Sequence, residues 1–249
     1  PGIYRQMLAQ PVSPMPKRRE GLSAGEKLPE AIRARGEAAT GTPVHEAFGM
    51  SECSTFVSGS PARPAPPGTL GYAQPGRRLA VVGGTGAPVP VGETGILAVH
   101  RSDPGLMLGY LGQPEETAAR YRGEWFLTGD AAQMEPDGAL VYHGRSDDMM
   151  NAGGFRVSPV EVEAALAEHP DVHEAAAAEV AVKADATVIA AFYTAGTELD
   201  PATLSRHMSA RLARYKCPRV FVRVPELPRG ANGKLLRREL RTRHEAENG

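Results

Sequence analysis

The sequence predicts a two-part chain, in which a twisted, barrel-like sheet of short strands is followed by a smaller α+β domain. Between residues 59 and 112, prolines and glycines interrupt short apolar runs, a pattern typical of small strands joined by tight turns. After residues 144–148 the chain changes to longer helical and apolar segments. We therefore expect the boundary between the two parts at Asp147.

In the first part, the opening segment has three prolines between residues 11 and 16 and is expected to be irregular. A helix is predicted over 29–39, ending near Gly41. The apolar runs at 79–82 and 95–99 are predicted strands of the twisted sheet.

The second part opens with a clear helix start. Ser158 is the expected N-cap, Pro159 suits the first turn, and Glu161 is placed to complete a capping box. We expect this helix to run to about Glu168.

A second helix of this part is predicted to begin at Asp200 and Pro201, where an N-cap is again followed by proline. Leu204, Met208 and Leu212 recur every four residues and so form one apolar stripe. Such a stripe indicates a face that packs on the core.

Three further runs are predicted to be core strands, and one to be a terminal helix. The strands cover 175–182, 188–193 and 218–224, and the helix covers 235–241. Residues 148–240 should thus form a compact α+β domain of three strands and several helices.

The composition excludes some classes of partner. The chain has 249 residues, with 28 lysines and arginines against 29 aspartates and glutamates, so no overall field favours nucleic acid. Arginines are concentrated near the end of the chain, but we interpret them as a solvated helix face: Arg237, Arg238, Arg241 and Arg243.

The cysteines and the hydropathy pattern indicate a cytoplasmic protein. Cys53 and Cys217 lie far apart and match no metal or disulfide framework, as is usual in a reducing compartment. No apolar run approaches the roughly 18 residues of a membrane span, so no membrane partner is expected.

The string Phe-Gly-Met-Ser-Glu at 48–52 places a glycine, a hydroxyl and a carboxylate close together. These groups suit a phosphate and its magnesium ion, because Mg²⁺ takes oxygen ligands and shares them with nucleotide phosphates. Taken alone, the string is also typical of a capped loop that leads into a helix.

A second string, Trp-Phe-Leu-Thr-Gly-Asp at 125–130, ends an apolar run with a carboxylate. The Asp130 carboxylate could accept two hydrogen bonds from vicinal sugar hydroxyls, for which a ribose is the natural match. The alternative is a turn aspartate that caps backbone donors.

Three more strings complete an ordered set, at 144–148, 153–163 and 228–234. Over nearly the whole chain this set resembles the adenylate-forming superfamily, which includes acyl- and aryl-CoA synthetases, peptide-synthetase adenylation domains and firefly luciferase. The resemblance implies that residues 1–146 are the carboxyl-terminal part of a large α/β AMP-binding domain. Residues 147–249 would be a small mobile domain.

The resemblance also implies roles in binding ATP or AMP. Ser51 would meet phosphate and Glu52 the magnesium ion, while Asp130 and Arg145 would hold the ribose. Phe48 and Ser51 stand where the family commonly has tyrosine and threonine, and both keep the ring or hydroxyl. The adenine pocket and its motif would comprise Ala24, Gly25, Glu26, Glu46, Ala47, Phe48, Gly49 and Met50.

In the small domain the resemblance implies a hinge at Asp147 and catalysis by Lys234, a cation aimed at the carboxylate that attacks the α-phosphate. Rotation about the hinge would exchange Lys234 for a loop that lines the path of coenzyme A, formed by Gly153, Gly154 and Phe155. Glycine there leaves room for the thiol.

The family's phosphate loop, rich in serine, threonine and glycine and ending in lysine, has no counterpart in this chain. We therefore expect about half of a family member, with the missing amino-terminal half as its partner. By itself the chain is expected to be inactive.

The intact protein is predicted to be a ligase that adenylates a carboxylic acid with ATP and transfers it to coenzyme A. Residues 23–29 resemble the pocket strand of aryl- and short-acid-CoA ligases, which favours an aromatic or small acid. Two alternatives are a peptide-synthetase adenylation domain and a noncatalytic docking fragment.

Overall fold

The structure, a computed structural model, describes residues 2–12, 19–25, 28, 30–152, 154–183, 186–230 and 233–248. It divides into two compact units, Pro1–Tyr142 and His143–Gly249. The predicted boundary residue, Asp147, lies a few residues inside the second unit.

The first unit begins with a short helix and a βαβ arrangement. The helix α1 (Gly2–Met7) precedes β1 (Gly21–Ala24), α2 (Glu30–Thr40) and β2 (Val44–Met50). Strands β1 and β2 pair in parallel, with α2 as the connection. The helix predicted over 29–39 is thus confirmed, and it ends before Gly41, whose φ of +68° suits a helix terminus.

Strand β2 continues through a tight turn into antiparallel β3 (Ser54–Ser58), which pairs with β4 (Tyr72–Ala73). The two arms of the turn approach so closely that a Cβ on Gly49 would lie 2.2 Å from the Ser54 carbonyl oxygen. Glycine is therefore required at this position. The turn holds residues 51–53.

A second, five-stranded sheet completes the first unit, and it confirms the predicted strands at 79–82 and 95–99. Its elements, in chain order with one interposed helix, are β5 (Leu79–Val82), β6 (Thr94–His100), α3 (Pro114–Ala119), β7 (Tyr121–Arg122), β8 (Trp125–Met134) and β9 (Leu140–Arg145). Phe56 of β3 packs with Leu97 of β6 and Leu140 of β9 in one core. The expected twisted, barrel-like sheet of short strands is confirmed as a curled half-barrel.

The second unit is the predicted small α+β domain. Its elements are β10 (Met150–Ala152), β11 (Phe155–Val157), α4 (Pro159–Ala167), β12 (Glu174–Lys183), β13 (Ala186–Thr194), α5 (Pro201–Ser209), a 3₁₀ turn (Arg214–Lys216), β14 (Val220–Arg223) and α6 (Arg237–Asn248). Strands β12 and β13 are antiparallel, and β14 adds in parallel to β13. All three predicted strands are present.

Both predicted helix starts are confirmed in this unit. Ser158 Oγ accepts from the Glu161 N–H at 3.2 Å, and Asp200 caps α5. The Glu161 carboxylate, predicted as the second half of a capping box, accepts two hydrogen bonds from Lys216 Nζ at 2.7 and 2.9 Å. Of the predicted stripe, Leu204 and Met208 are buried on α5. The helix ends at Ser209, so Leu212 lies beyond it, partly buried against the same core.

The terminal helix differs from its prediction at both ends. It was expected over 235–241, but Leu235 forms a bridge with Arg229, so α6 begins only at Arg237. It continues to Asn248. Within the described ranges, every helix is too short or too polar to cross a lipid bilayer.

Candidate active site

The parallel register of the first unit brings the two predicted adenine-pocket segments side by side. Ala24, the last residue of β1, pairs with Ala47 in the middle of β2, where the parallel pairing ends. Ligands commonly bind beyond the carboxyl ends of parallel strands. The buried Glu46 carboxylate accepts from the Leu28 N–H at 3.1 Å and so holds the chain that follows β1. Gly25 follows β1 with a φ of +92°. Glu26 lies outside the described residues.

The predicted phosphate string occupies the end of β2 and the turn after it. The Phe48 ring packs edge-on against Phe56, with centroids 5.5 Å apart, and against Tyr142 at 5.4 Å. Beyond Gly49 and Met50, Ser51 is exposed at the start of the turn. Ser51 is therefore accessible to solvent, while the Phe48 ring is held by the core.

Glu52 is fixed by a loop that the sequence did not single out. Its Oε1 accepts from the Tyr110 hydroxyl at 2.8 Å, and its backbone oxygen accepts from the Met107 N–H at 2.7 Å. Burial and the neighbouring Glu52 carboxylate raise the pKa of Tyr110, so the phenol stays protonated and donates. The sequence signal that could have identified this loop is the tyrosine between Gly109 and Gly112.

Asp130 occupies a bulge of β8. The register shifts so that residues 128–130 face the single residue Leu97 of β6. A bulge re-aims side chains, and Gly129 supplies its positive φ of +81°. Asp130 is only 5% exposed, and its N–H donates to Thr128 Oγ1 at 3.1 Å.

Tyr142 joins the two predicted motifs of the first unit. Its ring packs on Phe48, and its hydroxyl donates to Asp130 Oδ1 at 3.4 Å. Phe48 and Asp130 therefore both contact the side chain of Tyr142. The sequence analysis missed Tyr142 because nothing local marks it.

The predicted ribose arginine and hinge belong to the second unit. Arg145 Nε lies 3.6 Å from Asp147 Oδ1, and both side chains are exposed. The Asp148 N–H donates to the Arg145 carbonyl at 3.1 Å, and Arg156 donates to the Ser146 carbonyl at 2.9 Å. The predicted hinge is thus an exposed hydrogen-bonded turn.

Lys234 is exposed near the end of a closed turn. The Gly230 N–H donates to the Lys234 carbonyl at 2.9 Å, and Gly233 has a φ of +81°. Arg229 donates to the Gly233 carbonyl at 3.0 Å and to Glu174 Oε1 at 2.7 Å. An ion pair with β12 therefore holds the turn that presents the lysine.

A buried ion cluster lies immediately after this turn. Arg237 donates twice to Glu163, at 2.7 and 2.8 Å, and once to Asp148 at 3.1 Å. The Arg237 side chain is only 17% exposed. The prediction of a solvated arginine face is therefore wrong for Arg237, because carboxylates of α4 and of the 145–148 turn converge on it.

The predicted coenzyme A loop carries an exposed aromatic pair. Gly154 has a φ of +88°, and no atom lies within 4 Å of a Cβ built on it. Phe155 stacks on Tyr215, with ring centroids 4.6 Å apart, and both rings are exposed. Gly153 lies outside the described residues.

Comparison with known families gives two matches. Residues 1–111 match the model described as "AMP-binding enzyme", and residues 161–234 match "AMP-binding enzyme C-terminal domain". The two matches follow each other in the order of the two compact units.

The chain is also similar to characterised ligases. It is 37% identical over 252 residues to benzoate–CoA ligase of Thauera aromatica, covering 97% of this chain and 47% of that protein. It is 36% identical over 233 residues to the mitochondrial acyl-coenzyme A synthetase ACSM5 of Mus musculus, covering 90% and 40%.

A solved structure shares the fold: the anthranilate CoA ligase AuaEII in complex with anthranoyl-AMP superposes with a TM-score of 0.82 at 34% identity, covering 92% of this chain and 45% of that one. The chain spans less than half the length of each of these three proteins. The two family models, the two relatives and the solved structure all indicate the same family. The chain therefore belongs to the adenylate-forming family of AMP-binding enzymes.

Proposed function

We propose that the whole protein joins a carboxylic acid to coenzyme A in two steps. The acid first attacks the α-phosphate of ATP, giving an acyl-adenylate and releasing pyrophosphate; the thiol of coenzyme A then displaces AMP. The observation that carries the proposal is the convergence of Phe48 and Asp130 on Tyr142, with Glu52 in the turn beyond. This arrangement has the groups that a nucleotide needs.

In this proposal the first unit holds the nucleoside. The carboxylate of the largely buried Asp130 would accept the vicinal ribose hydroxyls. The adenine would lie along the backbone at Ala24, Gly25 and Ala47, where the parallel pairing of β1 and β2 ends. Arg145 would add a second contact to the ribose.

Glu52 would hold the magnesium ion that accompanies ATP, and Ser51 would contact a phosphate. Among the described residues no three carboxylate, imidazole or thiol groups form a metal cage, and a lone carboxylate fits an ion that takes its other ligands from phosphate and water. When bound, the ion would neutralise charge on the phosphates. The chain's own contribution is one carboxylate oriented by Tyr110.

Lys234 would act in the first step and the Gly154 loop in the second. Lys234 is an exposed cation in a turn held by the Arg229–Glu174 ion pair, so it can approach a negatively charged reacting group. We propose that rotation at Asp147 replaces it with Gly153, Gly154 and Phe155, which would line the path of the thiol.

An aromatic or small acid is the proposed substrate class. Two relatives support it by name, since one acts on benzoate and one was solved with anthranoyl-AMP. The aromatic class would be tested by comparing benzoate with acetate and octanoate as substrates.

The decisive experiment measures both half-reactions of the whole protein with Lys234→Ala. We expect the adenylation rate, measured by pyrophosphate exchange, to fall at least about a hundredfold, because the substitution removes a cation from the site where negative charge develops. Thioester formation from supplied acyl-adenylate should continue. Arg238→Ala, on the exposed face of α6, is the matched control and should alter neither step. Loss of thioester formation with adenylation intact would refute the assigned role.

A further inference from the structure

We propose that residues 109–120, here called the brace, fix Glu52 and Asp130 relative to each other. The brace comprises the glycine-flanked tyrosine loop, α3 and the arginine that follows it. Tyr110 and Arg120 are its positioning residues, one at each end. The inference rests on the proposed function, because it concerns how the nucleotide groups are held.

At one end, the brace orients the Glu52 carboxylate. The Tyr110 hydroxyl donates to Oε1 at 2.8 Å, while no described residue donates to Oε2. The neighbouring Met107 N–H holds the Glu52 carbonyl at 2.7 Å. The protein therefore fixes Oε1 of Glu52, which leaves Oε2 to bind the metal ion of the proposed function.

Apolar burial does not hold this loop. Leu108 and Leu111, which flank Tyr110, are 105% and 99% exposed, so they contribute no packing energy. The contacts that place Tyr110 are polar. Removal of a single hydroxyl should therefore release Glu52 without opening a cavity in the core.

In the middle, the loop is tied to α3. The Tyr110 N–H donates to Thr117 Oγ1 at 2.9 Å, and the Thr117 hydroxyl donates to the Gln113 carbonyl at 2.9 Å. A Cβ on Gly109 would lie 3.2 Å from Thr117 Oγ1. Pro114 at the first position of α3 suits a helix start. Loop and helix thus form one unit.

At the other end, the brace reaches the bulge that carries Asp130. The Arg120 guanidinium donates to the Thr128 carbonyl at 3.1 Å and lies 5.5 Å from the Phe126 ring centroid. The Thr128 hydroxyl in turn accepts from the Asp130 N–H at 3.1 Å. Arg120 therefore supports the backbone that aims Asp130.

The two ends make separable predictions, which binding measurements on the whole protein can distinguish. In the presence of a nonhydrolysable ATP analogue, Mn²⁺ binding is measured by electron paramagnetic resonance. Tyr110→Phe should weaken this binding about tenfold, which is the usual effect of losing a hydrogen bond to a charged group. AMP binding without metal should be unchanged. Arg120→Gln should weaken metal-free AMP binding by a similar factor.

Matched controls separate the brace from general destabilisation. Tyr72→Phe removes a hydroxyl that donates to Asp137 at 3.0 Å, and Arg122→Gln removes an exposed guanidinium that donates to the Ala119 and Tyr121 carbonyls. Both should bind like the wild type. If Tyr110→Phe binds Mn²⁺ as tightly as the wild type while Glu52→Gln binds it more weakly, the proposed role of the brace is wrong. If Glu52→Gln and Asp130→Asn both bind normally, the proposed function itself fails.

Discussion

Asp103 is a carboxylate whose side chain is fully buried, and it anchors the loop that leads to Tyr110. It accepts from Arg77 at 2.5 Å, from the Gly105 N–H at 2.9 Å and from the Arg78 N–H at 3.3 Å. Burial would raise the pKa of Asp103, but these hydrogen bonds and the Arg77 charge outweigh burial and lower it. The charged form is therefore the one that stabilises the fold.

This charge predicts a pH-dependent effect of Asp103→Asn. Because the folded-state pKa lies below the unfolded value of about 3.9, the contribution is present above that value and is lost as the pH falls through the folded pKa. At pH 7 the substitution should reduce the free energy of unfolding by about 3 kcal/mol, as for a broken buried pair.

Urea denaturation of Asp103→Asn at successive pH values from neutral to strongly acidic would test this. The difference from the wild type should shrink in acid. Asp137→Asn, at an exposed carboxylate that the Tyr72 hydroxyl contacts, is the control and should lose less at neutral pH. An Asp103→Asn deficit that stays constant with pH would mean that the residue acts through packing rather than charge.

Among elements, α6 shows how a polar cluster positions a functional turn. Arg237, the first residue of the helix, bridges Glu163 of α4 and Asp148. Glu163 Oε1 also accepts from the Ala177 N–H of β12 at 3.0 Å. The end of the turn that carries Lys234 is therefore fastened to a helix and to the central sheet of its unit.

The cluster predicts a non-additive effect of two substitutions. Arg237→Met leaves the Glu163 carboxylate buried without its partner and should cost about 3–5 kcal/mol of unfolding free energy. The double variant Arg237→Met with Glu163→Leu should recover part of that loss, because no buried charge remains unpaired. Denaturant unfolding measures both.

The exposed neighbour Arg238 provides the control. Arg238→Met should change the unfolding free energy by no more than about 0.5 kcal/mol, the usual range for surface sites. If the double variant is as unstable as the sum of the two single variants, the three charges do not act as a unit.

At the scale of the whole molecule, each compact unit has its own core. The first packs Phe56 and Leu97 between its sheets, and the second packs Leu166 and Leu204 against its sheet. Separate cores suit the proposed rotation, because each of these cores is formed by residues of one unit. The exposed turn at Asp147 is where we propose that the rotation occurs.

Fixing the Asp147 torsion should therefore separate the two half-reactions of the whole protein. Asp147→Pro restricts φ and is expected to preserve adenylation while suppressing thioester formation from supplied acyl-adenylate. Asp147→Ala leaves the torsion free and should support both. An equal loss of both half-reactions in the proline variant would indicate misfolding rather than a blocked hinge.

The sequence by itself determined the features that depend on neighbouring residues. The caps at Ser158 and Asp200, the stripe through Leu204 and the end of α2 before Gly41 all follow from local backbone chemistry. The ordered motifs, which are also local strings, were enough to identify the family. Among the helices, α1 lies in a segment that was expected to be irregular, α5 ends at Ser209 before Leu212, and the range of α6 was misjudged.

Tertiary structure alone decided how distant residues meet. No local pattern specifies the register shift that aims Asp130, the partner of the glycine-flanked Tyr110, the position of Tyr142 between two motifs, or the carboxylates around Arg237. Each depends on strand register or on packing between segments far apart in the chain, which the order of residues does not specify locally. The motifs name the chemical groups, and the fold sets their geometry.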